Sequence, residues 1–284
     1  MLVPTMTPEE IYAEMYKDAA WLQDRINNRL TPDVIKKLKR VKRFPHLCIK
    51  TLRSEKTKIE YNIVFYAYQH RDWDCPRMFI YTKYTHESGK NLVYIEPKGF
   101  AIRIYTPHFM QRYKERQRDF VEDYSPIANI DIEFFFILRN WDVEEMKLVK
   151  SVLEIAPDDP LAKIIKERQD NSRFWQDPDY ERYSTACMTG MCLCERHKKN
   201  PNISIYDTYI SILMLKYSQL FDFLPAYKRV FLDTLCRTYP RHKDIILKEW
   251  NEAISNAPET PEVVEILCKK LVELEARYPV NALI

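Results

Sequence analysis

Between His46 and Tyr105 the chain carries five short runs rich in Ile, Val, Tyr, Thr and Phe, at 48–52, 59–68, 78–84, 91–95 and 100–105. β-Branched and aromatic side chains suit a pleated, half-buried surface. The links between the runs are too short to hold a crossover helix, so neighbouring strands pair antiparallel. This predicts a β meander rather than βαβ units.

The chain has three glycines, Gly89, Gly99 and Gly190, and each stands between two strand-like runs. A turn at such a point calls for positive φ. Neither a Walker A loop nor a dinucleotide fingerprint can be built from three isolated glycines, which removes those nucleotide-binding classes.

Helical patterns lie on both sides of the meander. Thr7-Pro8-Glu9-Glu10 is a capping box with Pro at the first helical position. It opens a helix to about Asn28, with Ile11, Met15, Ala19, Leu22 and Ile26 as its apolar stripe. A second helix runs from Asp33 to about Phe44, with Ile35, Leu38 and Val41 on one side. Lys36, Lys37, Lys39, Arg40, Lys42 and Arg43 give that segment a dense positive charge with no acid. Such a run can track a nucleic-acid backbone, and it is also what the solvated face of a helix looks like.

The strand at 100–105 ends in the most suggestive step of the chain. Thr106 reads as an N-cap and Pro107 as the first helical residue, which puts His108 in the first turn. There it lies beside unpaired backbone N–H groups and the positive end of the helix dipole. His108, Arg112 and Arg116 recur every four residues and so share one helix face. They run beside an apolar face of Phe109, Tyr113, Gln117 and Phe120.

A cationic stripe that begins at a helix N-terminus suits a phosphate, and the dipole favours a neutral His108 able to act as a base. Arg103 adds a cation on the strand before, and Tyr105 and Tyr113 are at hand for stacking or proton transfer. The plainer reading pairs the arginines with Glu115, Asp119 or Glu122 and half-buries His108. Asp207, Thr208 and Tyr209 follow the later hairpin closely enough to reach the same cleft. The strand-to-helix step, with one His and two Arg, resembles that of small metal-independent ribonucleases of toxin–antitoxin systems. The resemblance is confined to this step and carries no catalytic assignment.

After Phe120 helical spacing returns, at 127–141 (where 130–133 also alternates like a strand), 142–155 and 161–168, with a loop over 171–179. Cys187, Cys192, Cys194 and His197 then set four soft donors close together. Their spacing differs from that of a zinc knuckle. A β-hairpin turning at Thr189-Gly190, with Cys192 and Cys194 packed as small apolar residues on one face, fits the pattern better. Further helices are expected at 207–221, 225–238, 242–255 and 261–277.

The expected fold is therefore α+β: an antiparallel meander flanked by helices, with an all-helical C-terminal third. Residues 1–45 form a helical pair, 46–200 an α+β core and 201–284 a helical region. With 46% hydrophobic residues and 37 aromatic ones, five Trp, 19 Tyr and 13 Phe, the chain has ample material for a core. A net charge of +3 argues only for a local nucleic-acid surface. No apolar run is long enough for a membrane span, no secretory signal is evident, and scattered cysteines suit a reducing cytoplasm.

The function expected is RNA phosphate binding through residues 36–43 and Arg103, with no cofactor. Its sharper form is a metal-independent ribonuclease using His108 as base, Arg112 and Arg116 on the phosphate, and Tyr113 beside them. The alternative, from a different class, is a non-catalytic adaptor that docks a protein partner on its C-terminal helices.

Overall fold

Thr7 caps the first helix through its hydroxyl, which accepts the Glu10 N–H at 3.3 Å, while the Glu10 carboxylate takes the Thr7 N–H at 2.8 Å. The computed structural model describes residues 1–43, 46–67, 70–96, 99–116, 144–146, 179–187, 190–211 and 239–256, with positions 214, 230, 236, 266, 269–270, 273–274 and 277. The capping box starts α1, Pro8–Tyr16. The chain does not continue to Asn28 as one helix. It breaks at Lys17 and Asp18, resumes as α2, Ala19–Arg25, and passes through a π-helical turn at Ile26–Leu30 into α3, Thr31–Leu38.

Asp18 explains the break. It is 1% exposed, and its carboxylate accepts from the hydroxyls of Ser54 at 2.7 Å, Tyr61 at 2.9 Å and Thr57. A buried carboxylate persists only with such donors, and reaching them turns the backbone inward. The helical period could not show this, because an Asp in such a pattern reads as a surface residue.

Ile11, Met15, Leu22 and Ile26 are buried, and with Val34 and Leu38 of α3 they join one core with Ile63, Phe65 and Ile80. The inward face of α3 is Val34 and Leu38, with Ile35 half-buried, and the helix ends at Leu38 rather than near Phe44.

The strands of the meander are β1, His46–Arg53, β2, Glu60–Ala67, β3, Arg77–His86, β4, Gly89–Glu96, and β5, Ala101–Tyr105. Each pairs antiparallel with the next. Gly89, at φ +125°, closes the turn into β4, and Gly99, at φ +82°, precedes β5. The helix α4, Pro107–Arg116, follows β5.

Two compact units are not consecutive in the chain. One gathers Met1–Gln111 with Arg196–Asp207, the other Arg112–Glu195 with Thr208–Ala282. In the first, β5 pairs on its free side with a parallel strand, β9, Ile203–Ser211, which places Ile102 opposite Ile203 and Tyr105 opposite Tyr206. In the second, the strands are β6, Glu144–Met146, β7, Tyr180–Cys187, β8, Gly190–His197, and the end of β9, in the order β6-β7-β8-β9.

Two expectations fall here. The C-terminal third is not all-helical: residues 207–211, read as the start of a helix, belong to β9. Burial over Ile203–Ser211 shows no clean alternation. A strand covered on both faces loses its period of two, and the spacing of Ile210, Leu213 and Met214 then passes for helical. Glu144–Met146 is likewise a strand, antiparallel to β7, where a helix over 142–155 was expected.

Among the described C-terminal residues, α5 is Lys243–Ser255, behind a 3-10 turn at Pro240–His242, and it buries Ile246 and Trp250. Val230 and Cys236, and Ile266, Lys269, Lys270, Glu273, Leu274 and Arg277, are also helical. The expected helices at 127–141 and 161–168 lie outside the described residues, as does the loop at 171–178. Among the described residues no helix is long and apolar enough to cross a membrane.

Gly190 also departs from expectation. It opens β8 without positive φ, and a Cβ there would overlap the Ile210 carbonyl oxygen. Close approach of the neighbouring strand, rather than a turn, excludes a side chain at this position.

Candidate nucleic-acid interface

Thr106 caps α4 as its sequence implies. Its hydroxyl accepts the Phe109 N–H at 3.1 Å and donates to the Asp207 carbonyl at 3.3 Å. His108 is exposed in the first turn, in the first unit. Phe109 is buried against Tyr105 and Tyr206, with ring centroids 5.3 and 6.0 Å away.

The arginines and Tyr113 fall in the second unit. Arg112 pairs with Glu115 at 3.2 Å on the surface, and Arg116 donates to the Tyr209 carbonyl. Burial, and then the charge of Arg112, lower the pKa of Arg116. Tyr113 is 0% exposed, its ring edge-on to Tyr209 at 5.0 Å. The expected pairing with Glu115 is thus present for Arg112, and Tyr113 serves packing.

Arg103 sits among aromatic rings. Its guanidinium is 5.5 Å from the Tyr94 ring centroid and 3.4 Å from the Glu96 carboxylate. Burial works against its charge, but Tyr206, Tyr105, Glu96 and Tyr94 outweigh that and raise its pKa. A cation held this way stiffens the sheet more than it serves a polymer at the surface.

The run at 36–43 is different. Lys36, Lys37, Lys39, Arg40, Lys42 and Arg43 are all exposed, while Val34 and Leu38 fill the core beneath. Only Lys36 and Lys37 ride on α3; Lys39 is its C-cap, and the rest follow beyond the helix. The Lys39 ammonium stands 4.4 Å over the ring of Trp73, which ends the 3-10 turn His70–Trp73. Trp73 was not singled out from the sequence, since an aromatic so far along the chain carries no local sign of meeting a basic run. An indole beside lysines is the combination that stacks bases while cations hold phosphates.

The cysteine-rich segment forms the expected strands. Cys187, Cys192 and Cys194 are wholly buried, with the Cys192 and Cys187 sulfurs 3.8 Å apart. Burial, then Cys187, pushes the Cys192 thiol up, as for a cysteine packed among apolar neighbours. His197 accepts the Asn200 N–H at its Nδ1, 2.9 Å away, and turns its Nε2 to Glu9 at 3.2 Å. With Nδ1 accepting, Nε2 carries the proton and donates to the carboxylate. Among the described residues no group of three or more His, Cys, Asp or Glu is placed to hold a metal ion.

Compared with known protein families, with curated proteins and with solved structures, the chain matches none.

Proposed function

We propose that the protein binds single-stranded RNA, with the phosphate backbone on the basic surface at 36–43 and a base against Trp73. The observation that carries this reading is the exposure of all six basic side chains in that run. Ribonuclease action at His108 is the stronger form of the proposal. It requires Arg112 to leave Glu115 and Arg116 to leave the Tyr209 carbonyl, so binding is the form the geometry favours. The adaptor reading draws on Ile245 of α5 and on Ile266, 51% and 37% exposed.

A titration of labelled single-stranded RNA at two salt concentrations tests the proposal. Each phosphate contact contributes about 0.7 to the slope of log affinity against log salt. Replacing Lys36, Lys37 and Arg40 together by Ala should lower that slope by about 2. Trp73→Ala should weaken binding about tenfold with the slope unchanged. Failure of the wild type to bind at low salt ends the reading. Cleavage in EDTA that is lost in His108→Ala would establish the stronger form.

A further inference from the structure

A cavity of about 390 Å³ opens in the first unit, between α2, the π-helical turn and the strands β3 and β4. That lies near the lower end of small-ligand pockets, roughly 300–1,000 Å³. Its floor is aliphatic, with Leu22, Ile26, Ile80 and Ile95 each no more than 3% exposed. None of the residues lining it is charged.

Two departures from regular backbone meet at this cavity. The π-helical turn begins at Ile26, widens the helix and carries both Ile26 and Asn27 into the lining; such turns recur at functional sites. Phe100, also in the lining, has φ +51°, a left-handed conformation that a bulky residue rarely adopts. Its ring is held edge-on to Tyr16, with centroids 5.5 Å apart. Strain of this kind persists where surrounding structure holds it in place, and it gathers at ligand sites.

We infer that the cavity receives an adenine base of the bound strand, an inference that rests on the RNA-binding reading above. Gln23 and Asn27 lie four residues apart, line the cavity and are both exposed. Among the described residues neither side-chain amide is hydrogen-bonded. A carboxamide offers one donor and one acceptor side by side, matching N7 and the N6 amino group of adenine. The aliphatic floor and the rings of Tyr16 and Phe100 suit the faces of a planar heterocycle. An uncharged lining offers a phosphate no countercharge to offset its desolvation, whereas the cations at 36–43 do.

The test compares oligo(A) with oligo(U) of equal length, and free adenosine by calorimetry. The wild type should bind oligo(A) about tenfold more tightly than oligo(U). Asn27→Ala, which removes an amide, and Ala20→Phe, which fills the opening, should each abolish that preference. Affinity for oligo(U) and its salt dependence should be unchanged. Both positions are exposed, so each variant should melt with the wild type; Gln23→Ala repeats the test at a third position.

Equal binding of the two oligonucleotides by the wild type, or an adenine preference that survives all three substitutions, overturns the inference and leaves RNA binding standing. If neither oligonucleotide binds, the RNA reading fails and adenosine decides the cavity. Heat of binding that Ala20→Phe removes keeps the base site, and no heat with the wild type overturns it.

Discussion

The carboxylate of Asp18 and the cations at 36–43 belong to the same N-terminal segment, yet they serve opposite ends. Asp18 is buried, takes three hydroxyl donors and decides where one helix stops and the next begins. The six cations stay exposed, and among the described residues Lys39 alone of them stands over a ring, that of Trp73. Polar groups that organise a fold are spent on it, whereas groups left to water remain available to a partner. The arginines of α4 fall between these cases, since Arg112 and Arg116 are engaged but only half-buried.

The largest effect expected from breaking this contrast is at Asp18. Asp18→Ala strands three buried hydroxyls and should cost about 3 kcal/mol of unfolding free energy, measured by urea denaturation. A loss below about 1 kcal/mol would mean that the inward turn at Asp18 is not anchored by its carboxylate.

A change of pH probes the Asp18 partner Tyr61 together with two phenols elsewhere in the sheet, Tyr84 and Tyr94. Burial pushes the phenols of Tyr84 and Tyr94 up to about 12, and burial followed by the Asp18 charge also raises Tyr61. An unfolded tyrosine ionises at about pH 10. The folded protein therefore holds these protons more tightly, and their contribution is complete below pH ~10 and lost as pH rises through ~12. Melting curves in alkaline buffers should show stability falling across that window. A flat profile would mean that these phenols ionise equally well in the folded protein.

The smallest effects concern α4. Arg116→Ala removes a hydrogen bond to a backbone carbonyl and should cost about 1 kcal/mol. Arg112→Ala, which breaks an exposed pair, should cost less than about 0.5 kcal/mol. Unchanged stability in both, together with weakened RNA binding, would move these arginines from the structural class to the phosphate-binding one.

Much of this was legible in the sequence. The capping box at Thr7, the five strands from His46 to Tyr105, the N-cap at Thr106 and the hairpin of β7 and β8 are all local patterns. Each reports its own structure because turn chemistry, capping and a half-buried period of two act over a few residues. The exposure of the basic run could be read as one of two alternatives. The Glu115 partner of Arg112 was among the pairings the sequence offered, whereas the neighbour Trp73, the Tyr209 carbonyl that Arg116 meets, and the cavity with its strained Phe100 could not be read at all.

What the sequence by itself determined is therefore the set of local elements and the sign of charge along them. Tertiary structure decided that β9 would be a parallel strand beside β5, that Asp18 would break a helix, and that Gly190 would admit a neighbouring backbone. The physical reason is common to all three. A strand covered on both faces loses its periodicity, a buried carboxylate needs donors from distant segments, and a close approach needs a second chain segment to approach. Each is a property of pairs of segments, and a single stretch of residues holds only half of it.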